Sequence, residues 1–281
     1  MATYQYRVVE GWGRGPEGKE MGGVVPDVAV DSQDRVYVTR REPASILVYD
    51  SEGRFLGAWG DGVLLNPHNI WIDPADRIYC ADVDDHTVRI FSTDGEVLQT
   101  LGTPGQTGSP GEPFNMPTKA MAAPSGEIFV SDGYGQHRVH RFSAKGERIL
   151  SWGEEGTGPG QFALPHDLCI DPRDRVLVSD RTNHRIQLFD FDGNFLEEWT
   201  DIQSPNNIHI DADHIVYIAE APHRVSIFDL EGALLARWGK EGSGPGQFID
   251  PAHGICVDSR GDIYVTEVPY QPNRLQKFTR I

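Results

Sequence analysis

Three histidines stand in nearly the same surroundings: Pro67-His68-Asn-Ile-Trp-Ile-Asp73, Pro165-His166-Asp-Leu-Cys-Ile-Asp171 and Pro251-Ala-His253-Gly-Ile-Cys-Val-Asp258. Each lies five residues before an aspartate. Three neutral imidazoles converging on one point are the ligand set of a catalytic zinc, with a fourth position open to water or substrate. Iron, cobalt or nickel would accept the same donors. A second series follows nine residues after those aspartates and their counterparts elsewhere: Arg40, Asp82, Asp132, Asp180, Glu220 and Glu267. Five carboxylates in one column suggest a repeated structural task, accepting hydrogen bonds from backbone amides of the loop that follows. Arg40 puts a cation in that column, a local inconsistency of the kind found at functional sites.

The elements that position these residues follow from self-similarity. After each histidine run comes a second apolar run, as in Arg77-Ile-Tyr-Cys-Ala-Asp82 and Arg175-Val-Leu-Val-Ser-Asp180, then a third such as Arg185-Ile-Gln-Leu-Phe189. Fourth runs end in Trp-Gly or a variant, as in Phe55-Leu-Gly-Ala-Trp-Gly60. The residue closing each first run gives six anchors, Asp31, Asp73, Ala123, Asp171, Asp211 and Asp258, at intervals of 42, 50, 48, 40 and 47. Four short strands in forty-odd residues is the period of a propeller blade, which buries its faces only against neighbouring blades. The expected fold is all-β, a six-bladed β-propeller occupying residues 1–281 as one domain. The last unit reaches only a third strand, Arg274–Phe278, while Tyr6–Gly13 reads as a fourth strand without a blade, so the two ends should pair and leave no open edge. Inner strands start near the central channel, and the residue five before each anchor forms a ring: Pro26, His68, Thr118, His166, Asn206, His253. Histidine in alternate blades sets the imidazoles about 120° apart.

Composition limits the partners. Acidic residues outnumber basic ones 42 to 25, giving a formal charge of −17 and no basic cluster of the kind that displaces counterions from phosphates. Nucleic acid and anionic membrane surfaces are disfavoured. Cys80, Cys169 and Cys256 each fall in an apolar run and read as buried thiols. With no signal-like start and no apolar run of spanning length, a cytoplasmic location is expected. Trp12, Trp59, Trp152, Trp199 and Trp238 recur at the end of the fourth run and read as packing between blades. The glycine-rich stretches 153–162 and 239–248 precede strands, so no helix N-terminus backs an anion site there. His86, His137, His140, His184, His209, His214 and His223 lie outside the ring and read as structural or surface residues.

These residues resemble the catalytic domain of peptidyl-α-hydroxyglycine α-amidating lyase, a six-bladed propeller of NHL repeats with zinc held by three histidines. The specific stretches are Leu65-Asn-Pro-His-Asn-Ile70, Ser131-Asp-Gly-Tyr134, Gly153-Glu-Glu through Pro165-His166, Asp180-Arg-Thr-Asn-His-Arg-Ile-Gln187 and His253 in the final blade. The resemblance implies His68, His166 and His253 as zinc ligands, with Fe2+ or another divalent transition metal as substitute. It implies Tyr134 as catalytic tyrosine, Arg40 as catalytic arginine and Arg181 as a further active-site arginine that binds substrate. Where the family has Met-Pro-His-Asp, this chain has Asp250-Pro-Ala-His-Gly254, without the acidic residue that helps bind a structural calcium, which argues against that ion. The implied reaction splits a C–N bond in a small or peptide-like α-hydroxyamide, giving an amide and glyoxylate or another aldehyde, in a protein expected to be monomeric. Two other classes fit the fold: a protein-binding propeller, and a metal-dependent hydrolase of the lactonase type.

Overall fold

The computed structural model describes residues 4–15, 18, 21–43, 45–268 and 274–281. They form six antiparallel sheets of four strands, each sheet taken in sequence order except the last. The inner strands are Val28–Val30, Pro67–Ile72, Lys119–Ala122, Pro165–Ile170, Pro205–Ile210 and Ala252–Val257. In the sixth sheet the strand Tyr6–Val9 is outermost and pairs with Leu275–Arg280, in the register Tyr6 to Arg280 and Val9 to Lys277. The chain is therefore the expected six-bladed propeller, closed by its own two ends. Among the described residues no helix is long and apolar enough to cross a membrane.

Second and third strands are buried on both faces, which is why they read as unbroken Val/Ile/Tyr runs rather than alternating ones. The tryptophans join blades through glycine. A Cβ on Gly53, Gly95, Gly193 or Gly232 would come within about 3 Å of the indole of Trp12, Trp59, Trp152 or Trp199 respectively. Each of these glycines has a positive φ in the hairpin before the next blade's fourth strand, so one residue meets both a backbone and a packing demand. Where blade two ends in Leu101 instead, Gly146 packs against that side chain. The glycine-rich loops 153–162 and 239–248 end by burying Phe162 and Phe248 completely.

The carboxylate column works in the opposite direction from that expected. Asp82 accepts the amides of Leu65 and Asn66, Asp180 those of Ala163 and Leu164, and Glu267 those of Ile249 and Asp250. The amides thus belong chiefly to the loop entering the inner strand. The second strand ends beside the start of its inner neighbour, so its last side chain reaches that loop first. This fixes the chain just ahead of His68, His166 and His253. Asp180 also holds Asn183 Nδ2 at 2.7 Å and the buried Arg185 Nε at 2.9 Å. Asp180→Ala should therefore lower stability by about 2–4 kcal/mol, because it leaves the amides of Ala163 and Leu164 without their acceptor and takes from the buried Arg185 its buried carboxylate, leaving it Glu198 and two backbone carbonyls. A urea unfolding curve with an unchanged midpoint would refute this role.

Candidate metal centre

The ring positions lie where the inner strands begin, and the structure brings His68, His166 and His253 together there. One ligand atom from each lies within 4.8 Å of the others. Hence some point is within about 2.8 Å of all three (4.8 Å divided by √3). Zinc–nitrogen bonds are about 2.0–2.1 Å, so closure asks each ring to move by less than 1 Å. Ring centroids are 4.7, 5.2 and 5.0 Å apart, with planes 74–81° to one another, as a pseudo-threefold axis requires.

The tautomers are set by the alternate blades. His68 Nδ1 lies 2.8 Å from the Thr118 carbonyl, His166 Nδ1 2.7 Å from that of Asn206, and His253 Nδ1 2.7 Å from that of Pro26. A carbonyl only accepts, so each Nδ1 carries the proton and each Nε2 presents a lone pair, the usual outer support of a metal-bound imidazole. All three rings are buried. Burial, then the neighbouring imidazoles and arginines, holds His68 and His166 well below the usual histidine range, and burial takes His253 down to about 3. Neutral rings are what a divalent ion binds, and this donor set fits one.

Tyr134 stands over the ring with its hydroxyl 3.0 Å from Nε2 of both His68 and His166. Burial raises its pKa, and the charges of Arg181 and Arg41 oppose the rise. Tyr134 is still 38% exposed, so a ligand can reach it. Arg181 opens a short 3-10 turn, Arg181–Asn183, directly after the second strand of blade four. The second arginine facing the histidines is Arg41 rather than Arg40. Arg41 acts on His68, His253 and Tyr134 and sets Nε 3.5 Å from the Pro67 carbonyl. Arg40 turns its guanidinium to the carbonyls of Met21 and Pro43.

The NHL repeat family matches residues 162–189 and 252–278, which are the first three strands of blades four and six with their entry. The chain is an NHL-repeat propeller. NHL repeat-containing protein 3 of Homo sapiens is 34% identical over 226 residues, 74% of this chain and 64% of that protein. Peptidyl-alpha-hydroxyglycine alpha-amidating lyase 1 of Drosophila melanogaster is 35% identical over 161 residues, 53% of this chain and 30% of that protein. The chain thus spans less than two thirds of the length of these relatives. A streptogramin B lyase structure shares the fold with a TM-score of 0.65, at 13% identity, over 99% of this chain and 88% of that one.

In this NHL propeller one backbone bond explains why Arg41, Tyr134 and Arg181 meet. The residue after the column position donates its amide to the carbonyl two before the ring: Arg41 to Val24, Val83 to Asn66, Arg181 to Leu164, Ala221 to Ser204. Tyr134 makes the same bond to Met116, at 3.4 Å, after one extra residue, Gly133. Counting ten from the anchor, rather than nine, finds both arginines. One residue beyond each ring position lies the next layer: Asp27, Asn69, Lys119, Asp167, Asn207 and Gly254. Lys119 Nζ lies 3.5 Å from Asp167 and 3.9 Å from Asp27, and both side-chain amides donate to Asp167. Burial lifts Asp27 to about 6 and Asp167 to about 7, against the pull of Lys119. With Lys119 already the cation here and no side-chain oxygen at Gly254, the layer does not fit a calcium ion, which takes 6–8 oxygen ligands. It forms a polar floor under the histidines, and an apolar cavity of about 610 Å³ lies beyond it.

Proposed function

We propose that this chain is a metal-dependent lyase that cleaves the C–N bond of an α-hydroxyamide, giving an amide and glyoxylate or another aldehyde. The observation that carries this reading is the Tyr134 hydroxyl, 3.0 Å from two of the three Nε2 atoms, with Arg41 and Arg181 acting on it. The relatives named as amidating lyases support the reaction class. Held by His68, His166 and His253, zinc or iron(II) would supply Lewis acidity toward the substrate's α-hydroxyl. Tyr134, as the phenolate that the charges of Arg181 and Arg41 favour, takes the hydroxyl proton. The oxygen pair left behind forms the carbonyl as the C–N bond breaks, its electrons pass to nitrogen, and Tyr134 returns the proton to that nitrogen. Arg181 binds the substrate carboxylate through paired N–H donors, and Arg41 balances its charge from the opposite side. The polar floor closes the channel, so substrate enters and leaves by the histidine face.

The test is glyoxylate release from N-acyl-α-hydroxyglycines by zinc- or iron-loaded protein. Wild type should turn over, Arg41→Ala should lose about 10²–10³ in kcat/KM, and Arg40→Ala should stay within about threefold of wild type. No glyoxylate with either metal would sink the proposal. A larger loss for Arg40→Ala than for Arg41→Ala would return the catalytic role to Arg40.

A further inference from the structure

Blade three breaks the repeat at two adjacent residues. In blades four, five and six an arginine at the start of the third strand pairs with the blade's own column carboxylate: Arg185 with Asp180 at 2.9 Å, Arg224 with Glu220 at 2.7 Å, Arg274 with Glu267 at 3.5 Å. In blade three that carboxylate, Asp132, is taken by His140 Nε2 at 3.1 Å and Gln136 Nε2 at 3.0 Å. The Arg138 guanidinium, at the equivalent place, makes no hydrogen bond or ion pair among the described residues. The preceding histidine shows the same departure. His86, His184 and His223 each place Nδ1 on the next blade's entry loop, at Met116 N, Ser204 N and the Asp250 carbonyl. Among the described residues His137 Nδ1 is buried without a partner, and the matching amide, that of Leu164, is bound by Asp180.

His137 and Arg138 line one pocket of about 270 Å³, with Asn115, Gly135, Glu154 and Glu155 among its other walls. These walls are loops at the end of the propeller where inner strands begin, so the pocket opens on the metal face, starting one residue beyond Tyr134. A Cβ at Gly135 would fall 2.3–2.5 Å from the Asn115 amide group, so glycine lets this wall close. Glu154 accepts from Gln161 Nε2 at 3.0 Å, and the Glu155 carboxylate has no partner among the described residues. Neither pairs with Arg138.

We propose that this pocket receives the far end of the substrate, and that this end is an α-amino-acid head group. Its carboxylate pairs with Arg138, its ammonium with Glu155 and Glu154. An anionic arm would meet two glutamates, a cationic arm would meet Arg138, and an apolar arm would desolvate all three charges. A zwitterion satisfies every one. The proposal rests on the lyase reading only for what the rest of the substrate is.

Calorimetric titration of the metal-loaded full chain with γ-glutamylglycine and with N-acetylglycine tests it. Wild type should bind the first at least about tenfold more tightly, Arg138→Ala should abolish the difference, and Glu155→Gln should reduce it. Both side chains lack partners among the described residues, so neither change threatens the fold. Equal affinity for the two probes in wild type, or a difference that survives in both variants, overturns the subsite. Preferential binding without turnover of the α-hydroxylated probe would refute the lyase reading and leave the subsite standing. Turnover without preference would do the reverse.

Discussion

His166→Ala is expected to take the metal content of the purified protein from about one zinc or iron per chain to below about a tenth, with turnover falling to background. His68, His166 and His253 are the one histidine, cysteine or carboxylate group that could hold an ion among the described residues, so losing one leaves two neutral imidazoles. Two such donors hold a divalent ion far more weakly than three. The fold should survive, because His166 otherwise bonds only through Nδ1 to the Asn206 carbonyl and through Nε2 to the Tyr134 hydroxyl among the described residues. Added zinc should raise the melting temperature of wild type, since a ligand that binds only the native state stabilises it by mass action. It should leave that of His166→Ala unmoved. Equal metal in both proteins after dialysis would mean that the ion, if any, sits elsewhere.

Repeat arithmetic made the ring and the closure legible before any coordinates. A propeller repeats its backbone faithfully, so counting from Asp73, Asp171 and Asp258 lands on equivalent points of the channel. The same arithmetic singled out Arg40 because a cation broke a column of anions, yet the residue that faces the histidines is Arg41. A break in a pattern marks where something differs and says nothing about which way the side chain turns; alternation along the strand decides that. Tyr134 was beyond spacing altogether and came from the resemblance, since Gly133 shifts it by one relative to Arg41 and Arg181. The buried layer of Lys119, Asp27 and Asp167 escaped notice for another reason. Polar residues scattered over 140 positions look unrelated until the inner strands bring them onto one axis.

Tyr134→Phe should retain metal and lose activity. The substitution removes a single oxygen and keeps the ring that packs edge-on against His68 and His166, at centroid distances of 5.1 and 5.6 Å. Bound ion and substrate affinity should therefore hold near wild-type values, while kcat falls by about 10²–10⁴, the usual contribution of a positioned acid–base group. That split separates chemistry from binding. A pure packing role would move stability and KM together and spare kcat. A phenylalanine variant that kept more than about a tenth of wild-type kcat would show that another group takes the hydroxyl proton. No carboxylate among the described residues makes a hydrogen bond to His68, His166 or His253, so that group would have to be water or the substrate itself.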